Sequence, residues 1–86
     1  MELDFIGIDP ETGKDGSPAV WVDHERKEIV IQGWKALEEL LTTISGTAWA
    51  PDHDPGIPAD EVVNRIPARM VPILREACDV AERAGL

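Results

Sequence analysis

Apolar and polar residues follow a strand-like pattern in the first third of the chain. β-Branched residues fill Ala19–Val22 and Glu28–Gln32, and the polar stretch Asp23–Lys27 between them has the length of a hairpin loop. These runs predict an antiparallel hairpin. The short apolar run Phe5–Ile8 predicts a strand before it, and the turn-forming residues 9–18 predict a loop between the two.

The pattern then changes to the period of a helix. Within Ala36–Ser45, apolar residues recur three and four positions apart, and Gly46 is typical of a helix end. Residues 47–59 carry three prolines and predict a long loop. The segment Asp60–Ile66 predicts a third main strand.

The last segment has the clearest amphipathic pattern. Apolar residues from about Arg69 to Ala84 form one face, and charged residues form the opposite face. Pro72 is tolerated only in the first turn of a helix, where backbone N–H groups have no partner within the helix. The helix is therefore expected to start near Arg69–Val71.

These elements predict one α+β domain over residues 1–86, in the order β-β-α-β-α. We expect a small antiparallel or mixed sheet of three or four strands, with two helices packed on one face. The chain has 86 residues, so it can bury only a modest core.

The predicted hairpin strands are apolar on both sides, so helices on one face would leave the other face partly bare. Val20 and Val22 alternate with Ala19 and Trp21 in the first of these strands. Exposed apolar surface of this kind typically marks an interface with a second copy or with a partner. The alternative is that the proline-rich loop carrying Trp49 folds over this face.

The charge is strongly acidic and unevenly distributed. The net charge is −9, with −10 over residues 1–61 (14 acids, four Lys/Arg) and +1 over residues 62–86. An acidic chain repels phosphate backbones, which excludes direct nucleic-acid binding as the expected function. The charge is consistent with a basic protein partner or with solubility alone.

Signals for export, membranes and disulfides are absent from the sequence. The start of the chain is acidic and lacks an apolar leader, no apolar run approaches about 20 residues, and Cys78 is the single cysteine. We therefore expect a cytoplasmic protein without membrane contact.

No segment has the residue spacing of a catalytic or metal-binding motif. The loop from Asp9 lacks the ligand positions of a calcium loop, and Gly13-Lys14 lacks the Ser/Thr of a phosphate loop. Asp52-His53-Asp54 concentrates possible ligands without a spacing that requires a metal. We expect a protein that is not an enzyme and has no cofactor; small-ligand binding through residues 9–17 or 52–54 is an alternative.

Three tryptophans are the more informative residues, because tryptophan is enriched at binding hot spots. Trp21 is expected in the core. Trp34 and Trp49 are the better interface candidates. The predicted interface therefore comprises Gln32, Gly33, Trp34, Lys35 and Trp49.

Four phrases of the sequence, at Asp4–Pro10, Gly16–Val22, Ile31–Lys35 and Ile66–Pro72, carry a family resemblance. With them the chain resembles, over roughly residues 4–80, a group of small uncharacterised actinomycete proteins. Members of that group are commonly encoded beside antitoxin-like helix-turn-helix regulators. The resemblance implies an accessory role in a regulatory or toxin–antitoxin-like gene pair, and it implies no catalytic residues.

The leading expectation is a non-enzymatic protein-binding module that acts on a helix-turn-helix regulator through its acidic surface and the Gln32–Lys35 region. A structural homodimer that uses the bare face of the sheet is the alternative.

Overall fold

The computed structural model describes residues 1–86, which divide into two compact units. Unit 1 comprises residues 1–34 and 66–86, and unit 2 comprises residues 35–65. The α+β class and the antiparallel sheet predicted from the sequence are confirmed.

Unit 1 contains a three-stranded antiparallel sheet of β1 (Leu3–Ile8), β2 (Ala19–Asp23) and β3 (Glu28–Gln32), in that order. The predicted hairpin is therefore confirmed as β2 and β3, which pair without irregularity. β1 is longer than predicted and pairs with the other side of β2, with a register shift between Phe5 and Gly7. β2 is thus the central strand, and β1 and β3 are the two edges.

The turn between β2 and β3 is organised by Asp23, whose side chain is buried. Its Oδ1 accepts hydrogen bonds from the backbone N–H groups of Glu25 and Arg26, each at 3.0 Å. These bonds hold the pKa of Asp23 below its usual value, chiefly through the bond from the Arg26 backbone. Lys27 closes the turn in the left-handed region with a φ of 60°, so the loop ends where Asp23 pairs with Glu28.

The final helix covers one face of this sheet. A short 3-10 turn at Ala68–Met70 leads into α2 (Val71–Arg83), and Pro72 lies in the first turn as its chemistry requires. Val20, Val22, Met70 and Ala77 are completely buried. They form the core where α2 meets β2, with partly buried apolar residues packed around them.

Gly7 lies where β1 approaches α2 closely. A Cβ atom built at Gly7 would lie 3.1 to 3.2 Å from three side-chain atoms of Ile73, which is tighter than an ordinary van der Waals contact. The absence of a side chain at this position therefore lets the helix approach the edge strand.

Unit 2 contains α1 (Glu38–Ser45) and a two-stranded sheet of β4 (Trp34–Lys35) with β5 (Asn64–Arg65); the first residue of β4 belongs to unit 1. The helix predicted over Ala36–Ser45 is confirmed with a later start, and Gly46 caps its end. The arrangement of helices differs from the expectation in one respect. α2 packs on the three-stranded sheet, whereas α1 is an element of unit 2.

The third main strand predicted over Asp60–Ile66 is wrong for most of its length. Only Asn64–Arg65 is a strand, and it belongs to the small sheet of unit 2. Upstream, the backbone N–H of Glu61 donates to the Pro58 carbonyl oxygen at 3.0 Å, and Val62 is 85% exposed. A turn therefore occupies the start of the segment, and the β-branched side chain of Val62 is largely exposed rather than paired in a sheet.

The core contact generates a stability prediction. We expect Met70→Ala to lower the free energy of unfolding by about 2–5 kcal/mol, because it opens a cavity at a fully buried site. The control is Val71→Ala, since Val71 is 40% exposed; its effect should stay within roughly 0.5 kcal/mol. Urea unfolding measures both, and equal effects would contradict this description of the core.

The close approach at Gly7 is tested by a double-mutant cycle. Gly7→Ala alone should cost about 1–3 kcal/mol of stability through overpacking against Ile73. In an Ile73→Ala background the three contacting atoms are absent, and the same change should cost less than about 0.5 kcal/mol. Equal costs in the two backgrounds would place the cause in the backbone of Gly7 instead.

Candidate protein-interaction surfaces

Unit 1 exposes apolar side chains on the face of the sheet opposite α2, which we call the open face. Side chains alternate along a strand, so burial of Val20 and Val22 against α2 directs Trp21 to the other side. Phe5 is directly opposite Trp21 in the register, and Val30 lies on its other side. The open face is thus built around an aromatic pair on two adjacent strands.

The β1 side chains of this face are exposed to solvent. Leu3 is 46% exposed, Phe5 54% and Ile8 49%. The rings of Phe5 and Trp21 meet edge to face, with centroids 5.9 Å apart and an interplanar angle of 61°. The pair is therefore internally stabilised while it leaves the ring of Phe5 available for contact.

The core position expected for Trp21 is wrong. Trp21 is half-buried and is not part of the cluster formed by Val20, Val22, Met70 and Ala77. The physical reason is the strict alternation of β2, in which the smaller valines take the helix-covered positions. Phe5, which the sequence analysis did not consider as a contact residue, is more exposed than Trp21 and is the partner that alternation alone does not reveal.

The predicted segment Gln32–Lys35 follows the end of β3. The Nε2 amide of Gln32 donates to the Ser17 carbonyl oxygen at 2.8 Å, so its side chain joins β3 to the loop before β2. Gly33 separates β3 from β4, where Trp34 is 36% exposed and Lys35 is exposed. The Lys35 carbonyl oxygen accepts a hydrogen bond from Arg65 Nε at 3.0 Å.

Trp49, the last residue of the predicted interface, belongs to unit 2. It is 66% exposed, and its indole Nε1 donates to the Ile44 carbonyl oxygen at 2.9 Å. The bond satisfies a carbonyl in the last turn of α1, so Trp49 has a local structural role and presents most of its ring to solvent.

Unit 2 also has a shallow apolar groove of about 360 Å³. Leu41 of α1, Ile57 and Val62 contribute to its lining, together with Lys35 and Glu61. The groove is open, and one basic and one acidic residue flank its apolar floor. Its charges therefore favour no particular ligand class.

A bidentate ion pair of unit 1, between Asp9 and Arg69, was not predicted from the sequence. Asp9 is 4% exposed, and Arg69 binds it bidentately, with Nε 2.8 Å from Oδ1 and Nη2 2.7 Å from Oδ2. Thr12 and the backbone N–H of Glu11 also donate to this carboxylate. The Arg69 hydrogen bonds hold the pKa of Asp9 far below its usual range, with further contributions from Thr12 and Glu11.

This ion pair joins the loop after β1 to the start of α2. A second carboxylate lies near Arg69, since Oε2 of Glu11 is 3.4 Å from its Nε. Arg69 therefore contacts two carboxylates, those of Asp9 and Glu11, at a position between the sheet and the helix. The arrangement is that of a structural clamp.

The described chain has no metal-binding cluster. No group of three or more His, Cys, Asp or Glu residues could hold a metal ion. In the loop Asp52-His53-Asp54, Nδ1 of His53 lies 3.0 Å from the Pro51 carbonyl oxygen, and Asp52 has a φ of 63°. None of the helices is both long and apolar enough to span a bilayer.

Comparison with known proteins gives no relative from which a function could be transferred. No protein-family model, no curated protein and no solved structure matches this chain.

Both units are acidic. Unit 1 has eleven Asp/Glu and six Lys/Arg residues, a net charge of −5, and unit 2 has six and two, a net charge of −4. The apolar open face therefore belongs to a unit whose overall charge repels acidic molecules and attracts basic ones.

The Asp9 clamp generates a pH prediction. A carboxyl group whose pKa is lowered in the folded state stabilises the folded state at pH values above the pKa of the unfolded chain, near 3.8. This stabilisation is lost as the pH falls toward the pKa of the folded state. Asp9→Asn should therefore be less stable than the natural chain at neutral pH. The difference in unfolding free energy between the two should shrink as pH falls below about 4.

Urea unfolding at a series of pH values measures this difference. Glu11→Gln is the control, because Glu11 is 68% exposed at its side chain; it should show a much smaller difference at every pH. A difference for Asp9→Asn that stays constant from neutral to acidic pH would contradict the clamp.

Proposed function

We propose that the protein is a non-enzymatic protein-binding module of the cytoplasm, and that its partner presents a basic surface around an apolar contact. The observation that carries the proposal is the open face. It exposes Leu3, Phe5 and Ile8 beside Trp21 in a unit of net charge −5. Contiguous exposed apolar residues typically mark interaction sites.

The family resemblance supplies the class of partner. A helix-turn-helix regulator is basic where it binds phosphates, so an acidic module can bind or cover such a surface. In this proposal, apolar contacts at the open face hold the complex, and the surrounding acidic charge accelerates association and selects the partner.

The aromatic pair is the proposed centre of the contact. Phe5 offers a large ring at low conformational cost, since Trp21 already supports it edge to face. The contacts predicted for Trp34, Lys35 and Trp49 remain predictions, and the same binding measurements test them.

The experiment is direct calorimetric titration of the full chain with a purified antitoxin-like helix-turn-helix regulator, the class of partner that the resemblance implies. We expect micromolar or tighter binding at low salt and weaker binding at high salt, because charge attraction is screened. Absence of binding at low salt would overturn the regulator as partner.

Point variants locate the contact surface. Phe5→Ala should weaken binding about tenfold or more, as expected for a hot-spot residue. The control is Val62→Ala, since Val62 is exposed and apolar but belongs to unit 2. Trp34→Ala and Trp49→Ala measure the contribution of the predicted segment and loop. Binding that survives Phe5→Ala unchanged would exclude the open face.

Phe5→Ala also tests the aromatic pair in the absence of any partner. The loss of the edge-to-face contact with Trp21 should lower stability by about 0.5–1.5 kcal/mol beyond the effect of lost area. Unfolding of the single variants at Phe5 and Trp21 and of the double variant measures this coupling, and no coupling would contradict the geometry.

A structural homodimer that buries the open face against its copy is the second candidate, because the same apolar residues could cover each other. Two copies of net charge −9 repel each other, which favours a basic partner. A dimer that dissociates on Phe5→Ala would support this candidate.

A further inference from the structure

The outer edge of β3 is a second surface of unit 1 that could bind another molecule. β3 pairs with β2 alone, so the backbone groups along its other side have no strand as partner in this sheet. Its five residues pair regularly, whereas β1 at the opposite edge has a register shift. Residues 28–32 include neither lysine nor proline, the residues that commonly protect an edge strand.

The three central side chains of β3 are apolar, and two of them are accessible. Ile29 is 42% exposed and Ile31 is 38% exposed, although both lie on the side of the sheet that carries α2. Val30 lies between them on the open face. A strand with these properties is a template for a further strand.

The sequence of β3 is self-complementary when two copies run antiparallel about Val30. Glu28 then lies opposite Gln32 of the second copy, Ile29 opposite Ile31, and Val30 opposite its own copy. No two like charges face each other, and each isoleucine meets an isoleucine. Cross-strand pairs of β-branched residues stabilise a sheet, and like charges directly opposite destabilise it.

We propose that β3 pairs antiparallel with β3 of a second copy of this chain, centred on Val30, to form a homodimer with one continuous six-stranded sheet. This pairing requires a twofold axis perpendicular to the sheet. Both α2 helices then lie on one side, and both open faces lie on the other. The inference concerns the edge of the sheet and does not depend on the proposed function.

The dimer doubles the surface that the open face offers. Two copies of the Phe5–Trp21 pair on one side of a sheet would engage a symmetric partner with increased avidity. An interface made by a five-residue edge should bury less surface than the roughly 1,200–2,000 Å² that a stable interface buries. We therefore expect a weak dimer whose fraction rises with protein concentration.

The first measurement is sedimentation equilibrium of the full chain over a concentration series. Each copy has a net charge of −9, so raising salt from about 0.02 M to about 0.5 M should tighten the dimer by screening repulsion. A monomer at every concentration and at both salt levels would overturn the proposal.

Two double variants test the register. In the Ile29→Lys/Ile31→Lys variant, lysines face each other across the dimer at two pairs, and the dissociation constant should rise by about tenfold or more. In the Ile29→Lys/Ile31→Glu variant, each lysine faces a glutamate, and the dimer should be retained within about threefold.

The comparison is matched because both variants lose the same two isoleucines. The doubly lysine variant also lowers the net negative charge of each copy, so overall repulsion alone would strengthen its dimer. Circular dichroism and thermal unfolding check that both variants fold. Folding is expected because Ile29 and Ile31 are partly exposed in the natural chain.

The remaining outcomes identify other arrangements. Equal weakening in both double variants would exclude the antiparallel register, and a dimer that is lost on Phe5→Ala but not on the lysine substitutions would be a face-to-face dimer. A natural chain that is monomeric, yet loses regulator binding in the doubly lysine variant, would show that a partner strand occupies the edge instead. Each of these results overturns the proposal.

Discussion

The burial of Val20 and Val22 beneath Met70 and Ala77 is the contact on which the rest of unit 1 depends. Because side chains alternate in a strand, fixing the two valines against α2 also fixes the direction of Trp21. The register then places Phe5 beside it on β1. The surface proposed for binding is therefore a direct consequence of the core. A one-residue slip of β2 would turn Trp21 toward α2 and the two valines toward the open face.

The polar contacts of unit 1 stabilise the ends of this arrangement. Asp23 supports the β2–β3 turn through local hydrogen bonds, and Asp9 joins the β1–β2 loop to the start of α2 through Arg69. Both acids are buried, and each forms an ion pair with one arginine, Asp23 with Arg26 and Asp9 with Arg69. The remaining acids are largely on the surface, which explains how so acidic a chain keeps a coherent fold while repelling other anions.

Local pattern was sufficient to predict the elements whose stability is local. The β2–β3 hairpin and α1 follow from periodicity, and the place of Pro72 in α2 follows from its missing N–H group. The strand predicted over Asp60–Ile66 failed because β propensity says nothing about whether a neighbouring strand is present. The Asp9–Arg69 pair spans 60 positions, and no spacing rule relates an acid and a base at that separation. Of the candidate surfaces, the tryptophans were visible in the sequence, but the role of Phe5 depends on a register that only the folded sheet defines.

The pairing of β4 with β5 brings the two ends of residues 35–65 together, so that this segment is an excursion of the chain that returns to its starting point. Arg65 Nε bonds the Lys35 carbonyl oxygen at 3.0 Å, so the segment begins and ends at one place. The chain can therefore gain or lose length within this excursion while its two ends stay together, because loop-closure entropy grows only slowly with length. Changes of sequence between Lys35 and Arg65 are therefore compatible with a fixed pair of ends, so long as the bond between these two residues is kept.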